Sequence, residues 1–152
     1  MNEATSTPVI YFYAQTDPYW EFSNFAPFGV ALDGAWWPTV EHFFQAMKFD
    51  DAAYRETIRA SRKPKDAKAL GMTRKLPLRA DWEAVKDGVM LRAVRRKFQT
   101  HAAPRALLLS IGHAPIVENA PMDAYWGCGP DGRGQNRLGQ ILMQVRAELA
   151  GE

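Results

Sequence analysis

The sequence predicts an α+β fold: a compact, mostly helical single domain with a small N-terminal β-sheet. Three observations carry that expectation. The 152 residues suit one domain built around one core. β-Branched and aromatic runs cluster before residue 38, between turn formers. Beyond that point apolar residues recur mostly at helical spacing. The expected division is a flexible N-terminal tail, residues 1–8, followed by one domain over residues 9–150.

Taken in order, "VIYFY" (9–13) reads as a strand, and "DPYWEFSNFAPF" (17–28) as an ordered loop rich in turn formers and aromatics. "GVALDGAWW" (29–37) makes two extended runs around Asp33-Gly34, a dipeptide favoured in tight hairpin turns. Pro38-Thr39 starts a helix that Thr39 caps and that runs to about Phe49. Helices follow at 51–61 and at 64–72, where Pro64 occupies the first turn. The longest helix is expected at 80–101 and a short one at 104–112. A brief strand at 115–120, "PIVENA", and a glycine-rich run lead into a last helix, 136–149.

Apolar residues at 47% and charged residues at 24% are ordinary for a soluble domain, and a net charge of +2 is too small to argue for nucleic acid by itself. One cysteine, Cys128, rules out an internal disulfide and a cysteine metal cluster, and it suits a reducing compartment. Residues 1–8 carry no basic and apolar regions of a signal peptide, and no apolar run approaches the ~18–20 residues that cross a bilayer. A cytoplasmic protein without membrane contact is expected. The aromatic content of 12%, five Trp included, fits a site that stacks flat rings and equally a bulky core.

"WWPTVEHFFQAMKF" (36–49) is the first chemically informative stretch. At 100° per residue, Val40, Phe44 and Met47 fall on a core stripe with Phe43 beside it. Glu41, Gln45 and Lys48 form a second stripe at the edge of the first, either a solvated face or the lining of a site. Trp36 and Trp37 enter the helix directly, so an aromatic wall around its first turn is expected. A carboxylate there would be partly desolvated and suited to general acid work. His42 points away from both stripes and reads as a hydrogen-bonding residue. No partner stands near it at metal-ligand spacing, so no metal is expected.

"GCGPDG" (127–132) matches a dinucleotide fingerprint only literally, because no hydrophobic strand leads into it and Pro130 sits inside the turn. A looser reading keeps two possibilities open, a mobile surface loop or an anion site. In the second, Gly127 and its neighbouring glycines bring flexible amides close to a ligand, Asn136 caps the last helix, and Arg133 or Arg137 adds charge. In "MDAYWG", Asp123 lies three residues before Trp126. An acid beside an indole suits an N-glycosidic substrate, although a turn-forming Asp with packed aromatics is the plain alternative.

In this order, "FSNF", "WPTVEHFFQAMKF", "LRADWEAVK", "MLRAVRRKF", "LLLSIG" and "DAYWGCGPDGRGQNRLGQILM" resemble the NADAR family and its YbiA-like N-glycosidases, from about Ile10 to Leu149. The resemblance implies a mostly helical α+β domain that cleaves the C–N bond between ribose and a base or amine. Two substrate classes go with it: phosphoribosylamino-pyrimidine intermediates of riboflavin biosynthesis, and ADP-ribose on guanine in DNA or RNA. It implies Glu41 as the leading catalytic acid/base, with Asp123 and Trp126 at the site. It further implies Trp82 in the pocket, Asn24 as a polar contact, and Lys48 as the lysine that can form an imine with ribose C1. Cys128 stands where the family pattern has Asp, and it reads as an ordinary small residue.

Breaking an N-glycosidic bond builds positive charge at C1 of the sugar, which a carboxylate stabilises while a proton reaches the leaving nitrogen. Glu41 and Asp123 are the available pair, with Glu41 expected at the chemistry and Asp123 orienting sugar or water. A ring-opened ribosylamine also presents a carbon that a lysine amine captures, which gives Lys48 a task beside Gln45. No step calls for a metal or organic cofactor. A 5′-phosphate would meet Arg133, Arg137 and the glycine loop, or instead the basic run "RAVRRKF" (92–98). The expected ligand is a small phosphoribosyl or ADP-ribosyl molecule, with no partner protein evident. A non-catalytic ADP-ribose or nucleotide-binding module is the reading from another class.

Overall fold

The computed structural model describes residues 7–152, and the chain falls into two compact units. One is Asn24–Ala102; the other joins the chain up to Ser23 with Ala103–Glu152. Residues 1–6 of the expected tail lie outside the described residues, and Thr7 and Pro8 are exposed.

The Asn24–Ala102 unit begins with a hairpin of β2 (Val30–Leu32) and β3 (Ala35–Trp37), paired antiparallel with Val30 opposite Trp37. Asp33 (φ 54) and Gly34 (φ 75) are both left-handed, the backbone that a two-residue hairpin turn requires. Strand alternation then separates the two tryptophans. Trp37 is buried, donates its indole N–H to the Leu32 carbonyl at 3.0 Å, and meets Phe43 edge-on at 5.3 Å. Trp36 is 51% exposed and lies against Gly29. The expected two-tryptophan wall is therefore corrected, since one ring faces the core and the other the surface.

α1 (Val40–Ala46) starts at Thr39, whose hydroxyl accepts the His42 amide at 3.2 Å. Every residue of α1 is buried, so it has no solvated stripe. It is shorter than expected because its end tightens: Lys48 N bonds Gln45 O at 3.3 Å and Phe49 N bonds Ala46 O at 3.2 Å. Around α1 pack α2 (Ala52–Ala60), α3 (Pro64–Gly71) and α4 (Trp82–Thr100). Asp51 caps α2, and Pro64 opens α3 where no intrahelical N–H is needed. Phe43 and Phe49 expose nothing, and each contributes about 1.5–3 kcal/mol by burial, so α1 is held as the centre of this unit.

In the other unit β1 (Ile10–Phe12) pairs in parallel with β4 (Ile116–Glu118), and α6 (Arg137–Ala150) packs on β4. The single N-terminal sheet of the sequence reading is thus two two-stranded sheets, one in each unit. β1 has no hairpin partner because the chain after it turns into a 3-10 turn at Trp20–Phe22, so a distant strand satisfies its ladder. α5 (Ala102–Ser110) begins before Pro104, which sits in a first turn where a missing N–H costs little.

Candidate active site

α1 places Glu41 and Gln45 one turn apart, and both are buried, Glu41 at 7% exposure. The Gln45 amide donates to Glu41 Oε1 at 2.6 Å. The donated N–H fixes the direction of that oxygen. Asn24 adjoins the same turn, its carbonyl accepting the Glu41 amide at 3.2 Å. Its side chain donates to the Met90 sulfur at 3.3 Å, and its buried Oδ1 has no hydrogen-bond partner among the described residues. Leaving such an oxygen unmatched costs about 1–3 kcal/mol, a cost that a donor on a ligand would relieve.

Lys48 follows in the tightened turn, half-buried, with Nζ 3.4 Å from the Gly71 carbonyl and 5.9 Å from the Phe44 ring. Burial pushes its ammonium below the usual lysine range; Glu41 opposes that shift and Lys68 reinforces it. A lysine so placed has more of the neutral amine that acts as a nucleophile. Trp82, at the start of α4, packs against Phe44 at 5.1 Å, and Arg79 N ties its loop to the Lys48 carbonyl at 2.8 Å. Asn24, Glu41, Gln45, Lys48 and Trp82 therefore sit around one short helix. His42 faces elsewhere, as expected: Nδ1 lies 2.8 Å from the Thr39 hydroxyl and Nε2 lies 3.0 Å from the Ser61 carbonyl.

The remaining candidates lie in the other unit. Asp123 Oδ1 accepts the amides of Tyr125 (3.0 Å) and Trp126 (2.8 Å), and the two rings meet edge-on at 4.8 Å. The segment after them is tied down by backbone hydrogen bonds. Cys128 N bonds Glu118 O at 3.0 Å, Gly134 N bonds Cys128 O at 2.6 Å, and Gln135 N bonds Ala124 O at 2.8 Å. At the start of α6, Asn136 N bonds Gly127 O (3.0 Å), Arg137 N bonds Tyr125 O (3.0 Å), and Leu138 N bonds Trp126 O (3.1 Å). The amides of Gly129, Gly132 and Gly134 are thus donated within the chain, which leaves a phosphate here more dependent on side chains.

Asn136 occupies the cap position in a left-handed conformation but makes no side-chain cap. It instead bridges β4, accepting Glu118 N at 3.0 Å and donating to Ile116 O at 2.9 Å. Gly127 is required by space: a Cβ there would lie 2.8 Å from Ala120 Cβ and 3.0 Å from two carbonyls. Arg133 is exposed, and Arg137 donates to Gln140 Oε1 at 2.5 Å.

The family model described as the NADAR domain matches residues 11–150. The chain belongs to the NADAR family. It is 51% identical to the N-glycosidase YbiA of Escherichia coli over 142 residues, 93% of this chain and 89% of that protein. The NMR structure of E. coli YbiA superposes with a TM-score of 0.88 at 49% identity, covering 97% of this chain and 88% of that one. A riboflavin biosynthesis protein of Zea mays is 39% identical over 95% of this chain, which spans 26% of that longer protein.

Two further expectations meet the structure of this NADAR chain. Cys128 is half-buried, its thiol 3.4 Å from Asn119 Oδ1, so it fills a packed place in the loop. In the run 92–98, Arg92 and Arg96 are exposed, Arg92 pairing with Asp33, whereas Lys97 is buried with its ammonium 5.7 Å from the Phe28 ring. Among the described residues no three His, Cys, Asp or Glu gather where they could hold a metal ion. Sequence reasoning missed Gly71, which touches both Gln45 and Lys48 from α3. A glycine as the last residue of a helix reads as an ordinary stop, so nothing local marks it.

Proposed function

We propose that this NADAR chain hydrolyses the C–N bond between ribose C1 and the amine nitrogen of phosphoribosylamino-pyrimidine intermediates of riboflavin biosynthesis. It is an N-glycosidase, a hydrolase of N-glycosyl compounds. The names of its relatives support both statements, the YbiA proteins for the bond and the maize protein for the pathway. Residues 9–150 act as one domain in this reading, and the family match over 11–150 supports that extent. We place the enzyme in the cytoplasm, which its single cysteine suits; among the described residues no helix is long and apolar enough to cross a membrane.

The observation that carries the mechanism is the buried Glu41 carboxylate, held by Gln45 with Lys48 one turn further along. Cationic character at C1 is stabilised by a carboxylate in a site of low polarity, where Coulomb attraction is strong. When the sugar ring opens, the nitrogen lone pair forms a C1=N bond and the ring oxygen takes a proton. The neutral Lys48 amine adds to C1, the pyrimidine amine leaves with a proton, and a C1=N bond to Lys48 remains. Water then adds to C1, releasing ribose 5-phosphate and restoring the amine. In the other unit, Asp123 with Trp126 remains our candidate for orienting sugar or water, and Arg133 and Arg137 for the phosphate.

The test is a comparison of two substrates with purified protein and Glu41→Gln as control. Release of ribose 5-phosphate from the phosphoribosylamino-pyrimidine, lost in the control, is expected. Borohydride reduction during turnover should attach the sugar to Lys48. Release of ADP-ribose from an oligonucleotide bearing ADP-ribosylated guanine, with none from the metabolite, would move the function to nucleic acid. Binding of either without release would leave a non-catalytic module.

A further inference from the structure

Gly71 closes α3 without a left-handed backbone, so its identity is not dictated by conformation. Space dictates it. A Cβ at position 71 would lie 2.0 Å from Gln45 Oε1, 2.7 Å from Cδ and 3.0 Å from Cβ, and all three nearest atoms belong to that one side chain. Real Cβ atoms essentially never approach so closely, so the amide must be displaced if residue 71 is anything larger than glycine. Gln45 Oε1 is buried with no hydrogen-bond partner among the described residues, and its counterpart Nε2 is committed to Glu41 at 2.6 Å. Turning the amide over would set its oxygen against the Glu41 oxygen, which the charge forbids. The Gly71 carbonyl meanwhile lies 3.4 Å from Lys48 Nζ.

We infer that Gly71 is a positioning residue: the flat back of α3 on which the Gln45 amide rests so that it points at Glu41, while its own carbonyl receives Lys48. One small residue thereby sets both reactive groups, the carboxylate on α1 through Gln45 and the amine just beyond α1 directly. The inference rests on the reading of Glu41 and Lys48 as reactive groups. It explains why a buried amide oxygen is left against a glycine Cα, a place that offers no conventional donor. It also explains why the last residue of α3 is the smallest one although a larger residue would suit the helix better.

The test is a double-variant cycle in Gly71→Ala and Gln45→Ala, read as kcat, KM and thermal midpoint with the phosphoribosylamino-pyrimidine as substrate. Gly71→Ala should lower kcat at least about tenfold while KM stays within about twofold, the pattern of an interaction made for the reacting state. In the Gln45→Ala background, Gly71→Ala should lower kcat and midpoint far less than in the wild type, because the amide is gone and only the Cβ of residue 45, 3.0 Å away, remains in reach. Full kcat in a folded Gly71→Ala protein overturns the inference. So does an equal further loss in the Gln45→Ala background. Should the single variant fail to fold, the double variant still decides: folding with a kcat near that of Gln45→Ala supports the seat, and failure to fold shows that the methyl strikes something else. Glu41→Gln separates the two levels. If it keeps turnover, the reading of Glu41 has failed, whereas the midpoint half of the cycle still tests whether Gly71 seats Gln45.

Discussion

Along α1 the candidate groups are fixed by other side chains and by one glycine: Gln45 on Glu41, Gly71 behind Gln45, Phe44 beside Lys48 with Trp82 against Phe44. Along residues 123–136 of the other unit they are fixed by the main chain. There Asp123 Oδ1 holds two successive amides, and the carbonyls of Ala124, Tyr125, Trp126, Gly127 and Cys128 take the amides that follow. The first arrangement leaves the backbone regular and places the specificity in side-chain ends. The second spends nearly every local amide on shape. Substitutions in the first region should therefore act on rate before stability, and those in the second on stability before rate.

The largest effect should come from Glu41→Gln. It keeps the volume and removes the charge, so kcat should fall by about 10²–10⁴, the span usual for losing a positioned acid or base. The midpoint should change little, since Gln at 41 can still accept from Gln45. A Glu41→Gln protein that lost its fold instead of its rate would break the contrast. In the other region, Gly134→Ala should do the reverse. Its Cβ would meet Cys128 C and Gly127 O at 2.5 Å, both backbone, so nothing flexible can yield. We expect about 3 kcal/mol or more of lost stability by denaturant titration, a size kept for steric faults of this kind.

Asp123 sharpens the comparison because one residue can be changed in two ways. Asp123→Asn keeps an oxygen for the amides of Tyr125 and Trp126 and should cost little stability. Asp123→Ala removes it and should cost about 1 kcal/mol, as loss of a comparable helix cap does. If the Asn variant folds normally yet loses turnover, the carboxylate has a chemical duty beyond its turn. If it keeps full turnover, the turn is its whole contribution.

The parts of this chain that were legible in the sequence are those governed by neighbours along it. Asp33-Gly34 demanded a left-handed pair, Thr39 offered a cap, and spacing of four set Gln45 above Glu41. Asn24 and Trp82 came only from the likeness to the NADAR family, since neither lies at a revealing spacing. What stayed hidden depended on distant contacts. The pairing of Ile10 with Ile116 has no local signal, and β4 took the Asn136 side chain that local chemistry assigned to the helix cap. Gly71 was hidden for the same reason, because its neighbour Gln45 comes from another helix. Lys48 lies just beyond α1, where the amides of Lys48 and Phe49 bond three residues back, a tightening that the 100° spacing did not reveal.

The smallest effect tests whether α1 is set from its outer side as well. His42 exposes no surface, and burial pushes its imidazole below the usual histidine range, against the opposing influence of the Ser61 carbonyl and Asp66. The neutral ring is thus the form that fits between the Thr39 hydroxyl and Ser61. Above the ordinary value near 6.5, folded and unfolded chains both keep His42 neutral, and its contribution is complete. As pH falls below that value the unfolded chain takes the proton first, so stability declines until the folded pKa is passed as well. Wild-type protein should therefore lose more stability between pH 7.5 and pH 5.5, arbitrary settings about one unit either side of the ordinary histidine value, than His42→Gln does in parallel denaturant titrations. Equal losses would mean that His42 does not sense pH through folding. A greater loss in the wild type with unchanged kcat at neutral pH would assign His42 to the support of α1 and leave the chemistry to the residues on its other side.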